Sequence, residues 1–172
     1  MKTTLTLVVA AGLSLLVGLV RAEDKPHAAA AGLERFKQLA GDWVGKGKHG
    51  EEEHDARVNY KVTSGGSAVV ETIDPGGGHE MITVIHPDGD ALLLTHYCMI
   101  GNQPQMKAQP KPGENKIAFE FVKATNLKSD KDMHMRSVTF TFVDQDTLIA
   151  EWTNYDQGKE AGKAVFHMKR KK

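Results

Sequence analysis

The 172-residue chain balances 22 Lys and Arg against 22 Asp and Glu, so it lacks the basic excess by which nucleic-acid-binding domains hold phosphates. Its length suits one domain with one core. The lone Cys98 excludes an intramolecular disulfide and leaves stability to packing.

Met1-Lys2-Thr3-Thr4 is followed by the uncharged, Leu- and Val-rich run Leu5 to Val20 and by Val20-Arg21-Ala22. That order of charge, apolar run and small residue predicts a secretory signal peptide over residues 1–22, because the run falls short of the roughly 20 residues a spanning helix needs. The expected location is therefore secreted or periplasmic, with no membrane attachment after cleavage. Cleavage removes Lys2 and Arg21 and leaves 20 basic against 22 acidic residues. Ala28 to Ala31 offers a second cut. No Cys follows the cleavage region and no Arg-Arg pair precedes the apolar run, which argues against a lipoprotein and against twin-arginine export. Residues 23–31 read as a flexible lead-in and 32–172 as a single domain.

Leu33, Phe36 and Leu39-Ala40 recur at helical spacing before Gly41 and predict a short helix. Strand-like segments then follow one another: Trp43 to Lys48, Val58 to Val62, Ala68 to Ile73, Met81 to Ile85, Ala91 to Met99, Met106 to Gln109, Lys116 to Ala124, Met133 to Val143, Leu148 to Tyr155 and Ala164 to Lys169. Most are bounded by Gly, Pro, Asn or Asp, as at Asp74-Pro75-Gly76-Gly77-Gly78 and His86-Pro87-Asp88-Gly89-Asp90. Such spacing predicts an all-β fold, an antiparallel up-and-down β-barrel of about ten strands with a short N-terminal helix. A barrel of more than about eight strands leaves room for an internal cavity. Alternation points Ile117, Phe119 and Phe121 inward, then Val138, Phe140 and Phe142, then Leu148, Ala150, Trp152 and Asn154, and finally Phe166 and Met168. Lys169-Arg170-Lys171-Lys172 reads as a solvated tail.

Phe36-Lys37-Gln38-Leu39-Ala40-Gly41-Asp42-Trp43-Val44-Gly45, a helix leading into Gly-x-Trp and a meander, resembles the start of the calycin superfamily, which includes lipocalins and fatty-acid-binding proteins. Ser64-Gly65-Gly66-Ser67-Ala68-Val69-Val70-Glu71-Thr72, with Thr95-His96-Tyr97-Cys98 and Gly101-Asn102-Gln103-Pro104, resembles a poorly characterised family of lipocalin-like bacterial secreted or cytosolic proteins across most of the mature chain. The resemblance implies a barrel plugged by its helix, with an internal site, and implies no activity. Haem-binding barrels of the nitrobindin type share Gly-x-Trp-x-Gly and use a His near the C-terminal strand as iron ligand. His167 is the candidate here, although alternation turns it outward.

The candidate site lies where Leu92-Leu93-Leu94-Thr95-His96-Tyr97-Cys98 leaves the core. His96 and Cys98 share one face, Thr95 and Tyr97 the other, and only one pair lines the interior. Tyr60, His96, Tyr97, Cys98, Asn102, Gln103 and Phe140 are the ligand-binding candidates, because a few polar groups in an apolar concavity make a small-molecule site. The competing reading has Asn102 and Gln103 serving the turn alone. No histidine pair has zinc spacing; the acidic run Glu51-Glu52-Glu53-His54-Asp55 reads as a solvated loop, and His79 reaches His96 only if their strands adjoin. Glu71 and Glu80 form a carboxylate pair only if their strands align. With no nucleophile elbow and no catalytic Cys-His context, no catalytic residue and no metal ligand is assigned. Trp43 and Trp152 read as end-of-barrel packing, and Met99, Met106, Met133, Met135 and Met168 as core gap-fillers. The expected function is non-catalytic binding of a small apolar or amphipathic molecule, with no cofactor required. A haem or metal protein, and a small hydrolase or isomerase, are the alternatives.

Overall fold

A computed structural model describes residues 28–172; the expected signal peptide and residues 23–27 of the lead-in lie outside the described residues. Helix α1 (Ala28–Lys37) comes first. Its first turn is Ala28 to Ala31, which the sequence places in the lead-in: alanine is the best helix former, and burial of Ala29 anchors that turn to the barrel. Ten strands follow: β1 (Gly41–His49), β2 (Glu52–Thr63), β3 (Ala68–Asp74), β4 (Met81–Asp88), β5 (Ala91–Tyr97), β6 (Gln103–Ala108), β7 (Lys116–Thr125), β8 (His134–Asp144), β9 (Thr147–Asp156) and β10 (Lys159–Arg170). Each pairs antiparallel with the next, and β10 pairs with β1, so the meander closes into a barrel. All-β architecture and the number of strands match the expectation from the sequence.

The inward set follows alternation except that Phe121 and Phe142, also expected inward, are only half-buried. Ile117, Phe119, Val138, Phe140, Leu148, Ala150, Trp152, Asn154, Phe166 and Met168 are buried. Their apolar faces meet α1 at one end of the barrel, where Phe36 packs edge-on against Phe140 and Phe142 at ring separations of 5.1 and 5.4 Å. Trp43 Nε1 donates to Leu39 O at 2.7 Å. Arg170, expected in a solvated tail, instead donates from its guanidinium to Gln38 O at 2.7 Å and Ala40 O at 2.9 Å, and lies 4.5 Å above the Trp43 ring. The last carbonyls after a helix lack helical partners, and a planar five-donor group at the end of β10 satisfies them. This end of the barrel is sealed.

The other end is looser. Residues 52 to 55 of the acidic run are not a loop but the start of β2, where alternation sends Glu53 and Asp55 out to Lys46, at 4.0 and 2.8 Å, and sends His54 in. Room for that ring exists because its neighbour across the strands is Gly47, where any Cβ would lie 2.5 Å from His54 Nε2. Pairing of β7 with β8 runs only from Lys116 to Glu120. Beyond it the His134 ring stands 4.9 Å from Phe121, and the Arg136 guanidinium covers Phe121 at 4.5 Å.

Candidate functional site

Four polar side chains sit directly opposite one another on the inner faces of adjacent strands. Tyr60 on β2 is paired with Glu71 on β3, Glu71 with Thr83 on β4, and Thr83 with His96 on β5. All four are buried. Because barrel strands tilt, a row of opposed residues climbs the wall. This one starts near the sealed end, with Tyr60 edge-on to Trp43 at 6.4 Å, and finishes at the loose end with His96. Tyr60 Oη donates to Glu71 Oε1 at 2.5 Å, and Thr83 Oγ1 is 3.0 Å from His96 Nδ1.

Burial sets the charge of this ladder. It pushes the Glu71 carboxyl up to about 7, while the hydrogen bond from the Tyr60 hydroxyl favours the ionised form and Oε2 is left without a partner. The same burial drives the Tyr60 phenol well above its ordinary range and takes His96 down to about 4, so the imidazole is neutral at physiological pH.

Beyond His96 lies a cavity of about 250 Å³. Ile73, Met81, Met135, Trp152 and Phe166 form its apolar wall, and the half-exposed Met99, Ile100 and Met133 form an apolar lip. Among the described residues no Asp, Glu, Lys or Arg lines it. Its polar groups are His49, His54, His96, His134, Asn154 and the Trp152 indole. Several are buried without a partner: His54 Nε2, His96 Nε2, His134 Nε2, Trp152 Nε1 and Asn154 Oδ1. A buried polar atom left unpaired costs about 1–3 kcal/mol, and these atoms lie behind a cavity surface that is almost wholly apolar. The His96 ring also packs against Trp152 at 4.6 Å with the ring planes tilted by 44°.

The sequence candidates divide accordingly. His96, 1% exposed, and Cys98 line the cavity. Burial pushes the Cys98 thiol up, keeping it protonated and a poor nucleophile. Tyr97 is corrected: it is 51% exposed on the outer face, because the strand that turns His96 inward must turn its neighbour outward. Gln103 is also corrected to a corner residue, its amide donating to Gly101 O at 3.0 Å and accepting from Thr125 Oγ1 at 2.7 Å. Asn102 is buried, yet its amide donates to Met133 O at 2.7 Å and ties the corner to the segment before β8 rather than facing the cavity. Phe140 belongs to the core, packed between Phe36 and Phe119, and Tyr60 belongs to the ladder. Trp152, Met99, Met133 and Met135, read as packing, are cavity wall and lip.

His167 is exposed on the outer face of β10, so the C-terminal-strand position that the nitrobindin resemblance implies does not reach the cavity. His79 and Glu80 are exposed before β4 and meet neither His96 nor Glu71, whose neighbour is Thr83. Among the described residues no three His, Cys, Asp or Glu gather as a metal site. A larger groove of about 620 Å³ between α1 and the β8–β9 turn is lined by Arg35, Asp144, Asp146 and Arg170, and is an open surface crease.

Two solved structures share this architecture. Rv2717c from M. tuberculosis superposes with a TM-score of 0.61 at 12% identity, over 81% of this chain and 97% of that one. A protein of unknown function from the DUF3598 family of Nostoc punctiforme gives 0.58 at 11% identity, over 78% of this chain and 48% of that one. The chain thus spans about half the length of the latter. These likenesses establish the barrel fold. Searches of protein-family models and of curated proteins found no match.

His49, His134 and Thr83 are residues that reading the sequence missed, His54 reads there as solvated loop, and Glu71 reads only as half of a carboxylate pair with Glu80. Glu71 stands between Val69 and Ile73, and Thr83 between Met81 and Ile85, so each is a polar residue on an otherwise apolar strand face. That pattern was the available signal.

Proposed function

We propose that the protein is a non-catalytic carrier or sensor of a small, neutral, largely apolar molecule with one or two hydrogen-bonding groups, held in the cavity beyond His96. The observation that carries this reading is the pocket beyond His96, walled by Met, Ile and Phe with an almost wholly apolar surface, and with unpartnered polar atoms such as His96 Nε2 and Trp152 Nε1 buried in the residues that form it. Absence of charge from the lining, with a neutral His96, favours an uncharged guest, since an ion would enter without a counter-charge. The volume lies just below that of ligand pockets for drug-sized molecules, which run from roughly 300 Å³ upward, and so suits a smaller guest. An apolar lip suits a guest that arrives by shedding water. The leader-like first 22 residues support action outside the cytoplasm, which amino-terminal sequencing of the protein from culture medium or periplasm checks.

The test of binding is calorimetry and native mass spectrometry with 4-propylphenol, 4-propylanisole and indole as probes. Saturable one-to-one binding, lost when Ala164→Trp fills the cavity, supports the reading. No binding of any probe at millimolar concentration defeats it.

A further inference from the structure

Sulfur is concentrated at the loose end of the barrel. Among the described residues Met81, Cys98, Met99, Met133 and Met135 line the pocket beyond His96, and the remaining methionines, Met106 and Met168, are buried in the core. Met99, 54% exposed, and Met133, 44% exposed, stand at the mouth, where a methionine gains little as a filler of core gaps. The pocket surface is almost wholly apolar, so oxygen and nitrogen atoms contribute next to nothing to it. Of the donor elements a protein offers, sulfur is the one compatible with such a surface.

Three parts of the chain bring these sulfurs to one place. Ile82 on β4 is opposed to Tyr97 on β5, so Met81 and Cys98 are the next facing positions along that register, and alternation turns both inward. Cys98 opens a closed corner, its N–H donating to Asn102 O at 3.1 Å and its carbonyl accepting from Gly101 N–H at 2.9 Å. The Asn102 amide donates to Met133 O at 2.7 Å, which fastens the segment before β8 to the corner that carries Cys98 and Met99. On β8 itself a bulge between Met135 and Ser137 sets Met135 opposite the buried Asn154 on β9.

We propose that this pocket is a site for one soft monovalent metal ion, Cu(I), held by the Cys98 thiolate and the thioethers of Met81 and Met135, with Met99 and Met133 passing the ion in at the mouth. Thiolate and thioether ligands select Cu(I) over harder ions, which take oxygen or imidazole. Zinc finds no such set, because no three His, Cys, Asp or Glu gather among the described residues. The lining holds no charged side chain to offset the ion, and Cys98 supplies the counter-charge. A Cu–S bond replaces the S–H bond, the proton leaves to water, and copper keeps its oxidation state. The adduct is neutral, as an apolar pocket requires. The metal site goes beyond the carriage of an organic guest and does not depend on it.

The experiment is an anaerobic titration of the purified protein with Cu(I) in competition with bicinchoninate, followed by X-ray absorption at the copper edge. One Cu(I) per chain, in a shell made of sulfur, is expected. Cys98→Ser is expected to weaken binding by about a hundredfold or more, and Met81→Leu and Met135→Leu by about tenfold each, since a volume-conserving change removes the ligand and little else. Met106→Leu, in the core, is expected to leave the affinity within about twofold of wild type. No Cu(I) retained against the competitor overturns the site, and so does a shell of nitrogen or oxygen; neither result needs a variant to fold. An affinity unchanged in Cys98→Ser overturns it too. Binding of 4-propylphenol without Cu(I) leaves the carrier function and removes the metal site, whereas Cu(I) in a sulfur shell without binding of any organic probe does the reverse.

Discussion

Thr83 Oγ1 and His96 Nδ1 face each other at 3.0 Å across β4 and β5, and that contact commits one nitrogen of a buried imidazole to the wall while leaving the other without a partner. His96→Leu tests what the free nitrogen does. Leucine fills most of the ring's volume and removes an unpaired buried nitrogen, so stability is expected to change by less than about 1 kcal/mol. Phenol affinity is expected to fall about tenfold, the equivalent of about 1.4 kcal/mol for one hydrogen bond. Chemical denaturation and calorimetry measure the two effects separately.

Glu71 and His96 are expected to pull stability in opposite directions with pH. Folding raises the Glu71 pKa from its ordinary 4.5 to about 7, so its contribution is fully present below 4.5 and is lost as pH rises through 7. Folding depresses the His96 pKa from 6.5 to about 4, so its contribution is present above 6.5 and is lost as pH falls through 4. Across their common window the slopes largely cancel. Glu71→Gln removes one of them, and its stability relative to wild type is expected to rise by about 3 kcal/mol between pH 4.5 and 7. Denaturant midpoints at half-unit pH steps check the sign; a flat difference between the two proteins contradicts it.

Arg170 holds α1 at the sealed end through carbonyls of residues 38 and 40 and through the face of Trp43. Arg170→Ala is expected to cost about 2–3 kcal/mol, from charge-assisted hydrogen bonds and the cation–π contact. Amide exchange of α1 is expected to accelerate, whereas probe affinity at the far end stays within about twofold of wild type.

Cys98 lines the cavity with its thiol pushed up by burial. At pH 8 a disulfide reagent is expected to react with it at least about tenfold more slowly than with a free thiol, since only the thiolate attacks. Saturating 4-propylphenol is expected to slow it further. A rate indifferent to the probe would place the guest elsewhere.

Much of the wall was legible from the chain itself. Leu148, Ala150, Trp152 and Asn154 alternate with polar neighbours, and their inward orientation follows from the two-residue repeat of a strand. The choice between His96 and Tyr97 was not legible, because Leu92, Leu93 and Leu94 precede them without a polar residue to mark a face. In the barrel Leu92 and Leu94 are fully buried and Leu93 only half, which places His96 inside. His54 was hidden for a different reason: a run of acids looks like solvated loop, and only the hairpin with β1 puts Gly47 opposite it and opens a space for its ring.

The sequence by itself determined an antiparallel meander of ten strands and a plugging helix, because alternation, helical spacing and turn residues are local properties of the chain. Tertiary structure alone decided that Tyr60, Glu71, Thr83 and His96 stand in one row. Cross-strand register depends on where every turn starts and on how β10 closes onto β1, and a slip of one residue would turn each of those side chains to the opposite face.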